Sequence, residues 1–195
     1  MNILDRQDLL SLEQYAEQRA DFRDRVMEHK KNRRVNIGPH FSLYFEDRLT
    51  IRYQVQEMLR IERIFEADAI QQELDTYNPL IPDGSNLKAT AMLEFEDVDL
   101  RRRRLAELVG IEHRIWLQVD GHEKVYAIAN EDLERSTDEK TSAVHFLRFE
   151  LDEPMAESAR AGSNLSFGVD HDLYHYECRL ENSTRHALAG DLSPT

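Results

Sequence analysis

SAVHFLRFEL (142–151), DEPMAESARAG (152–162) and NLSFGVDH (164–171) decide the fold class. Residues two apart on a strand share a face, so the first run places His145, Leu147, Phe149 and Leu151 together. The last run does the same with Leu165, Phe167, Val169 and His171. Between them lies a short helix that closes on Gly162, as helix C-termini often do. The order is therefore strand, helix, strand.

Upstream, LEFE (93–96), VDLRRRRLAELVG (98–110) and WLQVDGH (116–122) follow the same course. Phe95, Glu96, Val119, Asp120 and His122 answer Phe149, Glu150, Val169, Asp170 and His171, with one gap. This is the pattern of an internal strand–helix–strand repeat, although amphipathic segments of this kind also match by chance. Further strands are expected in LKATAMLEFE, RIWLQV, VYAIA and YHYECRL, with a hairpin at Asp120-Gly121.

Towards the N-terminus the period changes. Ser11 and Gln14 have capping-box spacing, and Leu12, Tyr15, Phe22, Val26 and Met27 recur near helical period, predicting a helix that ends in EHKKNRR. RLTIRYQVQEMLRIERIFEADAIQQEL (48–74) lacks Gly and Pro and reads as one long helix. Steps of about 100° give it a polar stripe of Arg52, Gln56, Arg60 and Arg63 and an apolar face with Ile51, Val55, Met58, Leu59, Ile61 and Phe65. TYNPLIPDGSN (76–86), with two prolines and a glycine, is a connection. The predicted class is α+β: N-terminal helices over 1–76, a connection over 77–86, and a mainly antiparallel sheet with two covering helices over 87–180. The tail, 181–195, is expected to be poorly ordered.

Composition narrows the function classes. The 195 residues carry a formal net charge of -13, with 41% hydrophobic and 32% charged residues, as expected of a globular protein. An acidic body disfavours nucleic acid as a partner. No apolar run reaches the roughly 18 residues of a membrane span, and the first residues lack the features of a signal peptide. A single cysteine, Cys178, excludes an internal disulfide and points to a reducing cytoplasm. Nucleotide-loop, nucleophile-elbow and zinc-protease motifs are all missing.

The candidate residues are polar groups on apolar faces. Glu57 and Glu62 interrupt the apolar side of the long helix, where a carboxylate must find a partner or keep its proton. Pairing with arginine is the simpler reading, proton transfer the sharper one. His145 and His171 project from apolar strand faces, and His175 follows His171 by four residues. Together with Glu57 or Glu62 these imidazoles are candidate ligands for iron or zinc, with Asp170 as a residue that orients them. One objection is geometric: an ordinary crossover would set His145 and His171 roughly 20 Å apart, a strand length at about 3.3 Å per residue. The stripe Arg52, Arg60 and Arg63 is a candidate docking surface for an acidic partner. VYAIA and YHYECRL are candidate sheet edges for pairing between subunits.

HFSLYFEDRLTIRYQVQEMLRIERIF (40–65), LDTYNPLIPDGSNLKATAMLEF (74–95), ERSTDEKTSAVHFLRFEL (134–151) and the Val169-Asp170-His171 ending resemble the bacterial domain-of-unknown-function family 3501, over nearly the whole chain. The resemblance implies a setting near rubrerythrin-like di-iron proteins and iron–sulfur oxidoreductases. The Glu-x-x-His helices of a ferritin-like di-iron site are missing here. Three functions are thus expected in order: a cytoplasmic accessory protein of a redox or oxidative-stress system holding one non-haem metal; a metal-free module docking on an oxidoreductase; and a small-molecule enzyme using Glu57 or Glu62 for proton transfer.

Overall fold

The computed structural model describes residues 3–192. In chain order the elements are α1 (Leu12–Lys30), β1 (Arg34–Ile37), β2 (Phe41–Phe45), α2 (Arg48–Glu62), α3 (Ala67–Tyr77), β3 (Asn86–Leu93), α4 (Val98–Glu107), β4 (Ile115–Val119) and β5 (Val125–Tyr126). They continue with β6 (Ile128–Ala129), β7 (Val144–Glu150), α5 (Glu153–Arg160), β8 (Leu165–His171), β9 (Tyr174–Arg179) and α6 (Asn182–Ala189). The α+β class is as the sequence predicts.

Two antiparallel sheets replace the single one expected. One has the strand order β1-β2-β3-β7-β6, the other β5-β4-β8-β9. Each strand–helix–strand unit begins in the first sheet and ends in the second. The two units lie side by side and antiparallel, β3 against β7 and β4 against β8. This arrangement follows from strand pairing alone and does not establish a duplication. The inward faces share one core. Phe45 and Phe149 of the first sheet meet Phe167 of the second at centroid distances of 5.1 and 5.4 Å. Tyr174 donates from its hydroxyl to the Ile37 carbonyl at 2.7 Å, tying β9 to the end of β1.

The helical layer holds as its capping chemistry predicts at α1, where Ser11 and Gln14 form a reciprocal capping box. Three expectations are corrected. Residues 34–45, placed in the helical N-terminal part, form β1 and β2, because Val35, Ile37, Phe41, Leu43 and Phe45 are all buried in the sheet core. The long helix breaks at Arg63, whose left-handed backbone (φ 56°) caps α2. An unbroken helix over 48–74 would run about 40 Å and carry Leu74 away from the first turns of α2. The break folds α3 back so that Leu74 joins Ile51, Val55 and Leu59, while Ile61 and Phe65 of the supposed apolar face stay exposed. The tail is helical at Asn182–Ala189, because Leu188 and Leu192 both reach the main core and Asp191 pairs with the buried Arg33. Residues 193–195 of that expected tail lie outside the described residues.

Candidate functional site

Glu57 sits where α2 faces α1. It is 9% exposed and accepts from the Tyr15 hydroxyl at 2.6 Å, from Arg19 Nε and Nη2 at 2.7 and 2.9 Å, and from Arg60 at 3.1 Å. The Arg19 hydrogen bond outweighs burial and, with Tyr15 and Arg60, holds the carboxyl down at about 2. Such a group is an anion near neutral pH. Glu62 is exposed at the helix end. The arginine stripe is likewise divided: Arg60 is held by Glu57, Arg63 is the exposed cap, and the side chain of Arg52 turns onto Phe22.

The three histidines do not converge. His145 lies on the inward face of β7 opposite Ala91. His171 is in the other sheet, its Nε2 facing the Val109 carbonyl and its Nδ1 accepting from the Leu173 amide. His175 is the cross-strand partner of Asp170, while His171 pairs with Tyr174, so the two imidazoles leave opposite faces of the hairpin. Asp170 serves Tyr126, whose hydroxyl donates to it at 2.9 Å, as well as Lys124 and His175. Among the described residues no group of three or more His, Cys, Asp or Glu is placed to hold a metal ion.

His145 does belong to a buried network that sequence patterning misses. Its Nε2 faces both the Ser142 carbonyl (3.1 Å) and Thr141 Oγ1 (2.9 Å). A carbonyl only accepts, so Nε2 carries the proton and Nδ1 accepts from the Asn130 amide at 3.0 Å. Burial depresses the His145 pKa, in part against the Glu112 charge, which keeps the ring neutral. Glu112, only 2% exposed, accepts from Ser136 and Thr141. Burial works to raise its pKa, but these hydrogen bonds and its own backbone amide bring it below the usual carboxylate value. No arginine or lysine matches this anion in an ion pair among the described residues. Nothing in the sequence links Glu112, Asn130, Ser136 and Thr141, because each becomes informative only through the others.

The network pins the segment 130–143 at its start, middle and end. Asn130 adopts φ 54° at the exit of β6, Ser136 is tied to Glu112, and Thr141 is 1% exposed beneath the ring of His145. One flank of the segment borders a polar hollow of about 350 Å³ with Glu112, His113 and Asn130 in its wall, and the Asn130 Oδ1 is buried there without a partner. The other flank closes a larger cleft of about 780 Å³ between α3 and the outer face of β3 and β7. Pro79, Leu80, Leu133 and Phe146 supply its apolar wall. Its cations are already engaged: Lys88 donates to the carbonyls of Pro79 and Ile81 at 2.8 and 2.9 Å, Arg148 grips Glu131 through two bonds of 2.8 Å, and Arg135 grips Asp132.

No curated protein matches the chain. A crystal structure of a protein from Burkholderia pseudomallei K96243, described as a novel protein of unknown function, is 56% identical and superposes with a TM-score of 0.92, covering 97% of this chain and 99% of that one. The family model described as protein of unknown function (DUF3501) matches residues 3–192, and the chain belongs to that family.

Proposed function

We propose that the protein is a metal-free binding protein whose cleft between α3 and the outer face of β3 and β7 takes a small, uncharged, mainly apolar molecule. One observation carries this reading. A concave space of about 780 Å³ lies within the range of ligand sites, its wall is largely apolar, and each cation at its rim is matched by a carboxylate or by carbonyl oxygens. A charged ligand would have to displace these internal partners. An accessory role in the cytoplasm beside redox proteins, as the resemblance implies, fits a protein that holds a molecule for an enzyme. The engagement of Glu57 by three donors weighs against the proton-transfer reading.

Titration with Nile red tests the proposal. The expected result is a saturable fluorescence increase that weakens about tenfold in Leu133→Asp, since a carboxylate in the apolar wall costs on the order of 1.4 kcal/mol or more. Leu133 is 56% exposed, so the variant keeps its fold. No saturable increase, or equal binding by the variant, overturns the proposal.

A further inference from the structure

On the helical layer, away from the cleft, a second hollow of about 400 Å³ opens between α1 and α2. Its wall holds Leu10, Gln18, Asp21, Phe22, Arg25 and Arg52. The Phe22 ring is buried at its base, and two guanidinium groups flank that ring, Arg25 at 5.0 Å and Arg52 at 5.4 Å from the centroid. The ring's π-face favours both cations and holds them in place.

Arg25 and Arg52 share one hollow, and among the described residues neither is matched by a carboxylate. In a chain with 38 acidic against 25 basic residues, cations are readily matched. Arg19, Arg33, Arg48, Arg60 and Arg148 all are. Among the described residues neither Arg25 nor Arg52 forms an ion pair, and Arg52 Nε is buried with no hydrogen-bond partner. Asp8, the acidic neighbour of Arg52, is taken up by Arg48 at 2.5 Å. Burial, and after it the nearby charges of Arg25 and Arg48, pull the Arg52 pKa down against the attraction of Asp8, as expected where positive charge is left uncompensated.

We propose that this hollow is a binding site for an oxyanion, the carboxylate or phosphate group of a small organic molecule. Planar guanidinium forks recognise both groups through paired hydrogen bonds. Arg25 and Arg52 converge on the anion from two helices, and Gln18 supplies a further amide donor on the α1 wall. The space exceeds what a bare inorganic ion fills, so the ligand carries an organic body, for which Leu10 and the edge of Phe22 provide apolar contact. Asp21, the one carboxylate on the wall, opposes an anion and limits the affinity.

Isothermal titration of the full chain at low salt, with inorganic phosphate in one series and succinate in another, tests the site. Saturable binding of at least one anion is expected, weakened about tenfold or more in both Arg25→Met and Arg52→Met, the scale for loss of a charge-assisted hydrogen bond. Arg25 is exposed, so its variant folds whatever happens to the half-buried Arg52. Asp21→Asn should bind more tightly than the natural chain. Preference for phosphate assigns the site to a phosphorylated compound, and preference for succinate to an organic acid. Absence of saturable heat with either anion overturns the proposal, as does equal binding by Arg25→Met or an equal response to sodium chloride.

Discussion

Replacing Glu57 with Gln separates a structural anion from a catalytic acid. The folded carboxyl lies at about 2 against an ordinary 4.5. At 1.36 kcal/mol per unit, that difference corresponds to about 3 kcal/mol of stability at neutral pH as an upper limit. Both paired arginines are more than a third exposed, with side-chain values of 36% and 39%, so water screens part of the attraction. The expected loss for Glu57→Gln is therefore about 1–2 kcal/mol, or a melting temperature lower by roughly 2–8 °C for a chain of this size. Gln keeps an acceptor for the buried Tyr15 hydroxyl but turns an NH2 towards the Arg19 and Arg60 donors, so the variant removes the charge together with those arginine hydrogen bonds. A depressed carboxyl contributes its stability above 4.5 and loses it as pH falls towards 2. Urea unfolding of both proteins in steps between about pH 7 and 3 should show a gap that narrows below 4.5. A variant as stable as the natural chain at neutral pH would refute the reasoning, and so would a gap that does not change with pH.

Three further outcomes follow from the geometry. His145 is held neutral by burial, with its folded pKa below the ordinary 6.5, so stability should be full above 6.5 and fall as pH drops through that value; a His145→Gln variant should lose this dependence in urea midpoints. A Cβ at Gly168 would lie 2.2 Å from the Trp116 ring, so Gly168→Ala should cost about 1–3 kcal/mol, measured by thermal unfolding. Thr141→Val removes the hydroxyl between Glu112 and His145, and should raise amide exchange across 131–140 while leaving protection of β8 unchanged.

The legible parts of the fold were those written in neighbouring residues. Capping at Ser11, the Asp120-Gly121 hairpin and the parity of β7 each depend on a few positions along one segment, and the structure follows them. The break at Arg63 was not legible, because RLTIRYQVQEMLRIERIFEADAIQQEL carries no Gly or Pro. What ends α2 is the burial gained when Leu74 returns to Leu59, a tertiary term larger than the roughly 1–2 kcal/mol cost of a left-handed arginine. Two sheets instead of one escaped for a similar reason: strand parity names the buried face but not the strand that covers it. Of the candidate site residues, Glu57 and His145 were found as polar groups on apolar faces, which a single segment can show. Their partners Tyr15, Arg19 and Glu112 come from segments far away in sequence.

Thr141, His145 and Glu112 have the residue types of a nucleophile, base and acid, yet their arrangement opposes that chemistry. A general base at His145 would need its lone pair on the nitrogen that faces Thr141, but that nitrogen donates to the Ser142 carbonyl. The opposite ring nitrogen meets the Asn130 amide, whereas an orienting acid belongs there, and Glu112 instead contacts the hydroxyls of Ser136 and Thr141. Thr141 is also closed off, at 1% exposure. What the arrangement does achieve is mechanical. A neutral imidazole joins Asn130 to Thr141, and a buried carboxylate joins Thr141 to Ser136, so the segment that walls the apolar cleft is fixed from beneath at three points. Protonating His145 would place a cation 4.0 Å from Glu112 and take away the acceptor that Asn130 uses. The neutral ring of His145 therefore serves to hold both ends of this segment, Asn130 at one and Thr141 at the other.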